Sequence, residues 1–456
     1  MKKTILLVLS TLVALPVFAK TEEMILDNGM KIIVREDHRA PVVVSQVWYR
    51  IGSTYEHDGI SGVSHALEHM MFKGTKSLKP GEFSEIIAAN GGRENAFTSR
   101  DYTAYFQRIA SDRLELCLKL EADRMRNVIF LPEEFKKEIA VVQEERRWRV
   151  DNKPKSELLE QFYATAFLTS PLRIPTIGWM QDLKNMTMED ADDWYRKWYA
   201  PNNATLVVVG DVKSADVFAL ANKYFAPLKS SVIEPPKPRP EIVQKGERRI
   251  SMYGNTSSPY VLMGYKTPVL LSEGADPKEI YALDVLSGIL DGGESARISK
   301  KMLRGDEIAV EAGTSYDPFD RLTGLFIFAA VPNKDVQPAQ LELAFKNEIK
   351  ELQQHAVSDE ELERVKAQVI AGKVFGRDST FNLGMQIGML DSVGLDWRLL
   401  DNYVDEIRSI SAEDIKRVAQ KYFHENQLTV ATLWPEKEAA KKLSDSENTA
   451  MTGKTK

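Results

Sequence analysis

A short pattern occurs twice in this chain, 224 positions apart, and a chain that repeats itself at such a spacing is built from two related halves. Thr187-Met188-Glu189-Asp190 matches Ser411-Ala412-Glu413-Asp414, each a hydroxyl helix cap followed by an acidic first turn. At the same offset Trp198-Tyr199 matches Tyr422-Phe423, and Asn202 matches Asn426. The apolar runs Leu206–Val209 and Leu428–Val430 that follow read as strands. Between the copies lies Glu234-Pro235-Pro236-Lys237-Pro238-Arg239-Pro240, a stiff, extended composition suited to a linker. The expected division is a first domain over 20–233, a linker over 234–245 and a second, homologous domain over 246–435. The tail 436–456, rich in Lys, Glu, Ser and Thr, lacks apolar periodicity and is expected to be disordered.

Within the first half, Lys31–Glu36, Val42–Arg50 and Tyr102–Ile109 read as strands, and His65–Lys73, Glu82–Ala89, 112–127 and 133–149 as helices. The second half repeats the order, with strands at Tyr260–Lys266 and Leu325–Val331 and helices at Lys278–Leu290 and Ala296–Leu303. Strands mixed with helix pairs predict an α+β class: two domains, each a mainly antiparallel sheet with helices packed on one face.

Residues 1–19 have the make-up of an export signal. Lys2-Lys3 form the basic end, Ile5 to Leu15 the apolar run, and Val17-Phe18-Ala19 the small-residue cleavage site. The run is too short for a spanning helix, so a product released to the periplasm is expected, with no membrane span after processing. Removing Lys2 and Lys3 takes the formal net charge from −6 to −8, an acidity that argues against nucleic-acid binding. The single Cys117, between Leu116 and Leu118, reads as a buried helical residue and rules out a disulfide within the chain.

His65-Ala66-Leu67-Glu68-His69 is the stretch that carries chemistry. Residues i, i+3 and i+4 of a helix project to one side, so two imidazoles and a carboxylate share a face. Neutral imidazoles hold a divalent metal, Zn²⁺ first among them, and the carboxylate can take a proton from a water which that metal activates. The pattern H-x-x-E-H is a zinc-peptidase signature in inverted order. A catalytic zinc needs a third protein ligand. Glu138, Val141, Val142 and Glu145 fall on one face of the helix expected at 133–149, apolar in the middle and acidic at both ends. Glu144 lies about 100° from Glu145, beside Arg147. From these residues alone, an exposed face on which all three Glu are salt-bridged stays open.

His65–Thr75 (HALEHMMFKGT) and Gly91-Gly92-Arg93-Glu94-Asn95-Ala96-Phe97-Thr98 resemble the signatures of the pitrilysin/insulinase family of zinc metallopeptidases, especially its short-chain branch with the catalytic subunit of the mitochondrial processing peptidase. The resemblance implies a third zinc ligand 76 residues after the second motif His, which is Glu145, and a second essential Glu seven earlier, Glu138. It implies one Zn²⁺ per chain on His65, His69 and Glu145, Glu68 as general base, and Asn95 and Ala96 on an edge strand that pairs with the substrate backbone. The second half lacks the motif, and its His355 and His424 read as surface residues. In the family that half often carries an Arg and a Tyr seven residues apart; here Arg304 is followed at that distance by Glu311, with Tyr316 five residues late. The departure implies a related partner subunit that supplies the Arg/Tyr pair, or a homodimer in which Tyr316 substitutes. The function implied is an exported zinc metalloendopeptidase acting on peptides or unstructured segments. The alternative is a non-catalytic scaffold or peptide-capturing subunit of the same fold.

Overall fold

A computed structural model describes residues 20–234 and 236–436, so the expected signal and nearly all of the expected tail lie outside the described residues. The first half contributes six strands: β1 (Thr21–Ile25), β2 (Lys31–Glu36), β3 (Val42–Tyr49), β4 (Arg93–Thr98), β5 (Thr103–Ala110) and β6 (Ala204–Gly210). Its helices are α1 (Val63–Met70), α2 (Glu82–Ala89), α3 (Leu114–Asn127), α4 (Pro132–Arg146), α5 (Pro154–Ala166), α6 (Met180–Asn185), α7 (Met188–Trp198) and α8 (Ser214–Phe225). The second half adds β7 (Arg248–Gly254), β8 (Tyr260–Thr267), β9 (Ala309–Ser315), β10 (Gly324–Pro332) and β11 (Leu428–Pro435), with α9 (Pro277–Asp291), α10 (Pro338–Gln354), α11 (Asp359–Gly376), α12 (Thr380–Val393), α13 (Leu399–Ser409) and α14 (Ala412–Tyr422). No helix among the described residues is long and apolar enough to cross a membrane.

The two sheets carry the repetition. One runs β1-β2-β6-β3-β5-β4, the other β7-β11-β8-β10-β9, the same order apart from the added β1. Both are antiparallel except at one equivalent pair, β2 with β6 and β7 with β11, which run parallel. The two capping boxes expected at Thr187 and Ser411 are formed, opening α7 and α14. The helix expected at Ala296–Leu303 closes instead in a π-helical turn over Ser299–Leu303. Cys117 is buried in α3.

The expectation of helices on one face needs one addition. Each sheet packs its own helices on one face, and the other half lays a helix across the opposite face. α12 crosses β3 and β6 of the first sheet, while α5 crosses β7, β8 and β11 of the second. Ile32 and Val34 therefore face the first half's own core, whereas Ile33 joins a core that includes Ile387 and Leu390 of α12. A strand buried on both faces reads as a continuous apolar run rather than an alternation. Ile32-Ile33-Val34 and Leu206-Val207-Val208-Val209 are such runs, all fully buried. Gly388 lets α12 reach the Trp48 indole and Gly264 lets α5 set Phe162 against β8, since a Cβ at either position would collide with that ring.

Residues 236–245 carry no regular secondary structure, yet they are pinned. Arg239 donates to the carbonyls of Thr54 and Glu56, and Glu241 accepts from the Thr169 and Ser170 amides and from Lys266.

Candidate metal centre

α1 starts without a side-chain cap of its own: Gly62 stands at its N-terminus with φ 87°, in the left-handed region that favours glycine. The cap comes from upstream. Glu56, fully buried, accepts from the Gly62 amide at 2.7 Å and the Ser64 amide at 2.9 Å. These are two of the orphan donors that every helix start exposes. Burial outweighs both bonds and pushes the Glu56 carboxyl up to about 7. Val63, Ala66, Leu67 and Met70 lock the inner side of α1 into the core, and His65, Glu68 and His69 are left on the other.

α4 supplies the facing residues. Its buried side is set by Phe135, Val142 and Arg146. At about 100° per residue, Glu138 and Glu145 lie roughly 60–80° to one side of that direction, whereas Val141 lies roughly 120° away from it. Val141 is accordingly exposed, which corrects the expectation that both valines share the inward stripe. Glu144 is solvated and pairs with Arg147.

Glu145 Oε2 stands 3.6 Å from His65 Nε2 and 3.5 Å from His69 Nε2. The ligand-type atoms of these three residues all lie within 4.8 Å of one another, the only such group among the described residues. Metal–ligand bonds of about 2.0–2.1 Å in a tetrahedron place ligand atoms roughly 3.3–3.4 Å apart, so the donor set fits a zinc ion. Its other oxygen, Oε1, accepts from Arg149 Nη1 at 2.7 Å, which leaves Oε2 to face the imidazoles. Arg149 reaches back because α4 continues into a π-helical turn over Arg147–Asp151, a distortion common at functional sites.

His65 is prepared as a neutral ligand. Burial, with His69 nearby, depresses His65 to about 3. His69 Nδ1 lies 3.1 Å from Glu138 Oε2, whose Oε1 pairs with Lys73 Nζ at 2.7 Å. That contact holds the proton on Nδ1 and turns the Nε2 lone pair toward Glu145. Glu68 is no part of the trio. Burial raises its pKa, opposed by a hydrogen bond from Thr98 Oγ1 at 2.5 Å.

Thr98 ends β4, the outer strand of the first sheet. Asn95 and Ala96 are on this edge, and the Ala96 amide donates to Asn95 Oδ1 at 2.9 Å. A cavity of about 620 Å³ extends from His65 and Thr98 past Tyr163 of α5 to Phe319 and Asp320 of the second half. Sequence reasoning missed Thr98, Arg149 and Lys73, although Lys73 and Arg149 each sit four residues after a motif residue, the spacing at which helical side chains meet.

Among the described residues, Arg304, Glu311 and Tyr316 of the second half bring no free donor to this centre. The Arg304 guanidinium donates to the Glu294 carbonyl, and Glu311 is exposed on β9. The Tyr316 hydroxyl donates to the Pro268 carbonyl at 2.7 Å, so the expected substitute for the missing Tyr is already engaged. His355 and His424 are exposed.

Residues 31–178 match the model of the insulinase family, peptidase family M16, and residues 185–369 match that of the M16 inactive domain. The chain is 33% identical over 422 residues to the zinc protease PqqE of Helicobacter pylori, covering 91% of this chain and 93% of that protein. The chain belongs to peptidase family M16. It is also 26% identical over 432 residues to the probable mitochondrial-processing peptidase subunit beta of Arabidopsis thaliana, spanning 91% of this chain and 78% of that protein. Among solved structures, a protease from Helicobacter pylori superposes with a TM-score of 0.86 at 31% identity, over 92% of this chain and all of that one. The periplasmic protease PqqL of Escherichia coli shares the fold, with a TM-score of 0.79 at 20% identity over 94% of this chain and 49% of that one.

Proposed function

We propose that this chain is an exported zinc metalloendopeptidase that hydrolyses peptides or unstructured polypeptide segments. The observation that carries the reading is the convergence of His65 Nε2, His69 Nε2 and Glu145 Oε2 on one point. These residues would hold the ion. Zn²⁺, when bound, polarises the scissile carbonyl and makes water a better nucleophile.

The chain's own residues do the rest. Glu68 accepts the proton of the attacking water and delivers it to the leaving amine. Thr98 keeps the Glu68 carboxylate oriented and moderates the rise that burial imposes on its pKa. Glu138 positions His69 through Nδ1, with Lys73 steadying the pair. The free side of β4 at Asn95 and Ala96 receives an extended backbone, which would favour unstructured segments over folded proteins.

The engaged Tyr316 and the exposed Glu311 leave the substrate carbonyl without a donor from the second half, so a related partner subunit bearing an Arg/Tyr pair would complete the site. The Arabidopsis relative is named as a subunit, and PqqL is about twice as long as the match to this chain, both in keeping with four-domain assemblies. PqqL is a periplasmic protease, which agrees with the export signal read at residues 1–19.

The test is metal analysis and hydrolysis of an unstructured peptide by the protein beginning at Lys20. About one zinc per chain is expected, with activity lost on chelation and restored by Zn²⁺. Glu145→Gln should release the metal while Glu144→Gln keeps it; equal metal content in the two variants contradicts the assignment of Glu145.

A further inference from the structure

The halves meet again at the opposite end of the first sheet, where β2 finishes and α11 gives way to α12. Along β3 that end is roughly 25 Å from the metal centre, at about 3.3 Å per residue. A cavity of about 870 Å³ lies there, within the range of small-molecule sites. Leu383 and Ile387 of α12 wall it together with Trp397 and Leu400.

Into it Arg35 and Arg377 bring their guanidinium groups from opposite halves. Arg35 donates to the Thr21 hydroxyl and Arg377 to the Leu400 carbonyl, and no carboxylate bonds either group among the described residues. The Nε–H of each is buried without a partner. Burial depresses the Arg377 pKa, against the Asp401 charge that raises it and with the Arg35 charge that lowers it. Buried donors left without a partner cost stability unless an acceptor joins them. Of the local acids, Asp37 is clasped by Arg39 and Glu36 by Ser214, and Asp401 acts on Arg377 through its charge without a hydrogen bond to it.

We propose that Arg35 and Arg377 form a site for a carboxylate carried on an apolar body. A guanidinium fork matches a carboxylate, and Leu383, Ile387, Trp397 and Leu400 would cover the apolar part. Asp37, Asp378 and Asp401 also line the cavity and oppose a doubly charged phosphate more than a singly charged carboxylate. That chemistry is shared by a medium-chain acyl acid and by the C-terminus of a peptide ending in apolar residues. The inference does not rest on the peptidase reading.

Calorimetric titration of the protein beginning at Lys20 tests it, using decanoate against decanol and N-acetyl-Phe-Leu against its C-terminal amide. At least one carboxylate should bind one to one, at least ten-fold tighter than its uncharged counterpart. The tighter of the two acids identifies the source. Arg377→Gln should weaken that binding at least ten-fold in a protein that still unfolds cooperatively. Arg35→Gln should weaken it similarly and serves if the first variant does not fold. Absence of binding at millimolar ligand, equal binding of acid and uncharged analogue, or undiminished binding by the folded variants overturns the proposal.

Discussion

Glu145 divides its two oxygens between tasks, one toward the imidazoles and one on Arg149, and most residues around the centre act in this paired way. Glu68 is held between burial, which raises its pKa, and Thr98, which lowers it. Replacing Thr98 by Val removes the lowering influence. The acidic limb of the kcat/KM profile for peptide hydrolysis should then move to higher pH, because Glu68 must lose its proton to act as base. An unmoved limb would show that the contact does not govern the base. Loss of the Glu138 contact to His69 by Glu138→Gln should cost about 10–100-fold in zinc affinity, read by competition with a chelator. The pentapeptide was legible because helical spacing sets His65, Glu68 and His69 on one face, whereas Glu145 was singled out only by the family resemblance, since no local signal says that α4 faces α1. Thr98 was not legible, since nothing local in the sequence tells that the end of β4 meets α1.

At the scale of single elements, periodicity located β2, β3, β5 and α1 to α4 in the first half and β8, β10 and α9 in the second, but not α10 to α13. Lys31–Glu36 and Glu82–Ala89 match β2 and α2 in both bounds. The helix expected at His65–Lys73 begins two residues earlier and stops at Met70, because Gly62 and the Glu56 cap fix its start and no such signal lies in the motif. The destinations of α5 and α12 were invisible, as amphipathicity says that a helix is covered but not by which sheet. Glu56 yields a test at this scale. Its carboxyl is raised to about 7 in the folded protein, against about 4.5 for an unstrained Glu. The neutral form is therefore favoured by folding, so its contribution to stability is present below pH 4.5 and is lost as pH rises through 7. The difference is about 3 kcal/mol at 1.36 kcal/mol per pKa unit. Urea unfolding of Glu56→Gln and the parent at pH 5 and pH 8 should show the variant gaining relative to the parent by an amount of that order. A pH-independent difference would mean that Glu56 titrates normally.

Across the whole molecule, the seam between the halves is an exchange of helices locked by charge. Asp391 of α12 is buried and accepts from Lys31, Arg50 and Thr205 of the first half. Burial raises its pKa, but the bonds from Lys31 and Thr205 with the Arg50 charge outweigh that and hold it below the usual range. Its contribution is thus present at neutral pH and fades as acid protonates the carboxylate below the ordinary Asp range. Asp391→Asn should cost about 3–5 kcal/mol at pH 7, as breaking one member of a buried ion pair does, and distinctly less near pH 3. Equal losses at both pH values would remove the ionic interpretation of the seam. With the halves so fixed, the cavity beside His65 keeps its second wall, and the chemistry returns to one carboxylate. The most direct test of the account is Glu68→Gln, assayed for zinc content and for hydrolysis of an unstructured peptide, alone and with a related subunit carrying an Arg/Tyr pair. The variant should hold as much zinc as the parent and lose at least 10²–10⁴-fold in rate under both conditions. A zinc-loaded Glu68→Gln protein that cleaves at the parental rate would contradict it.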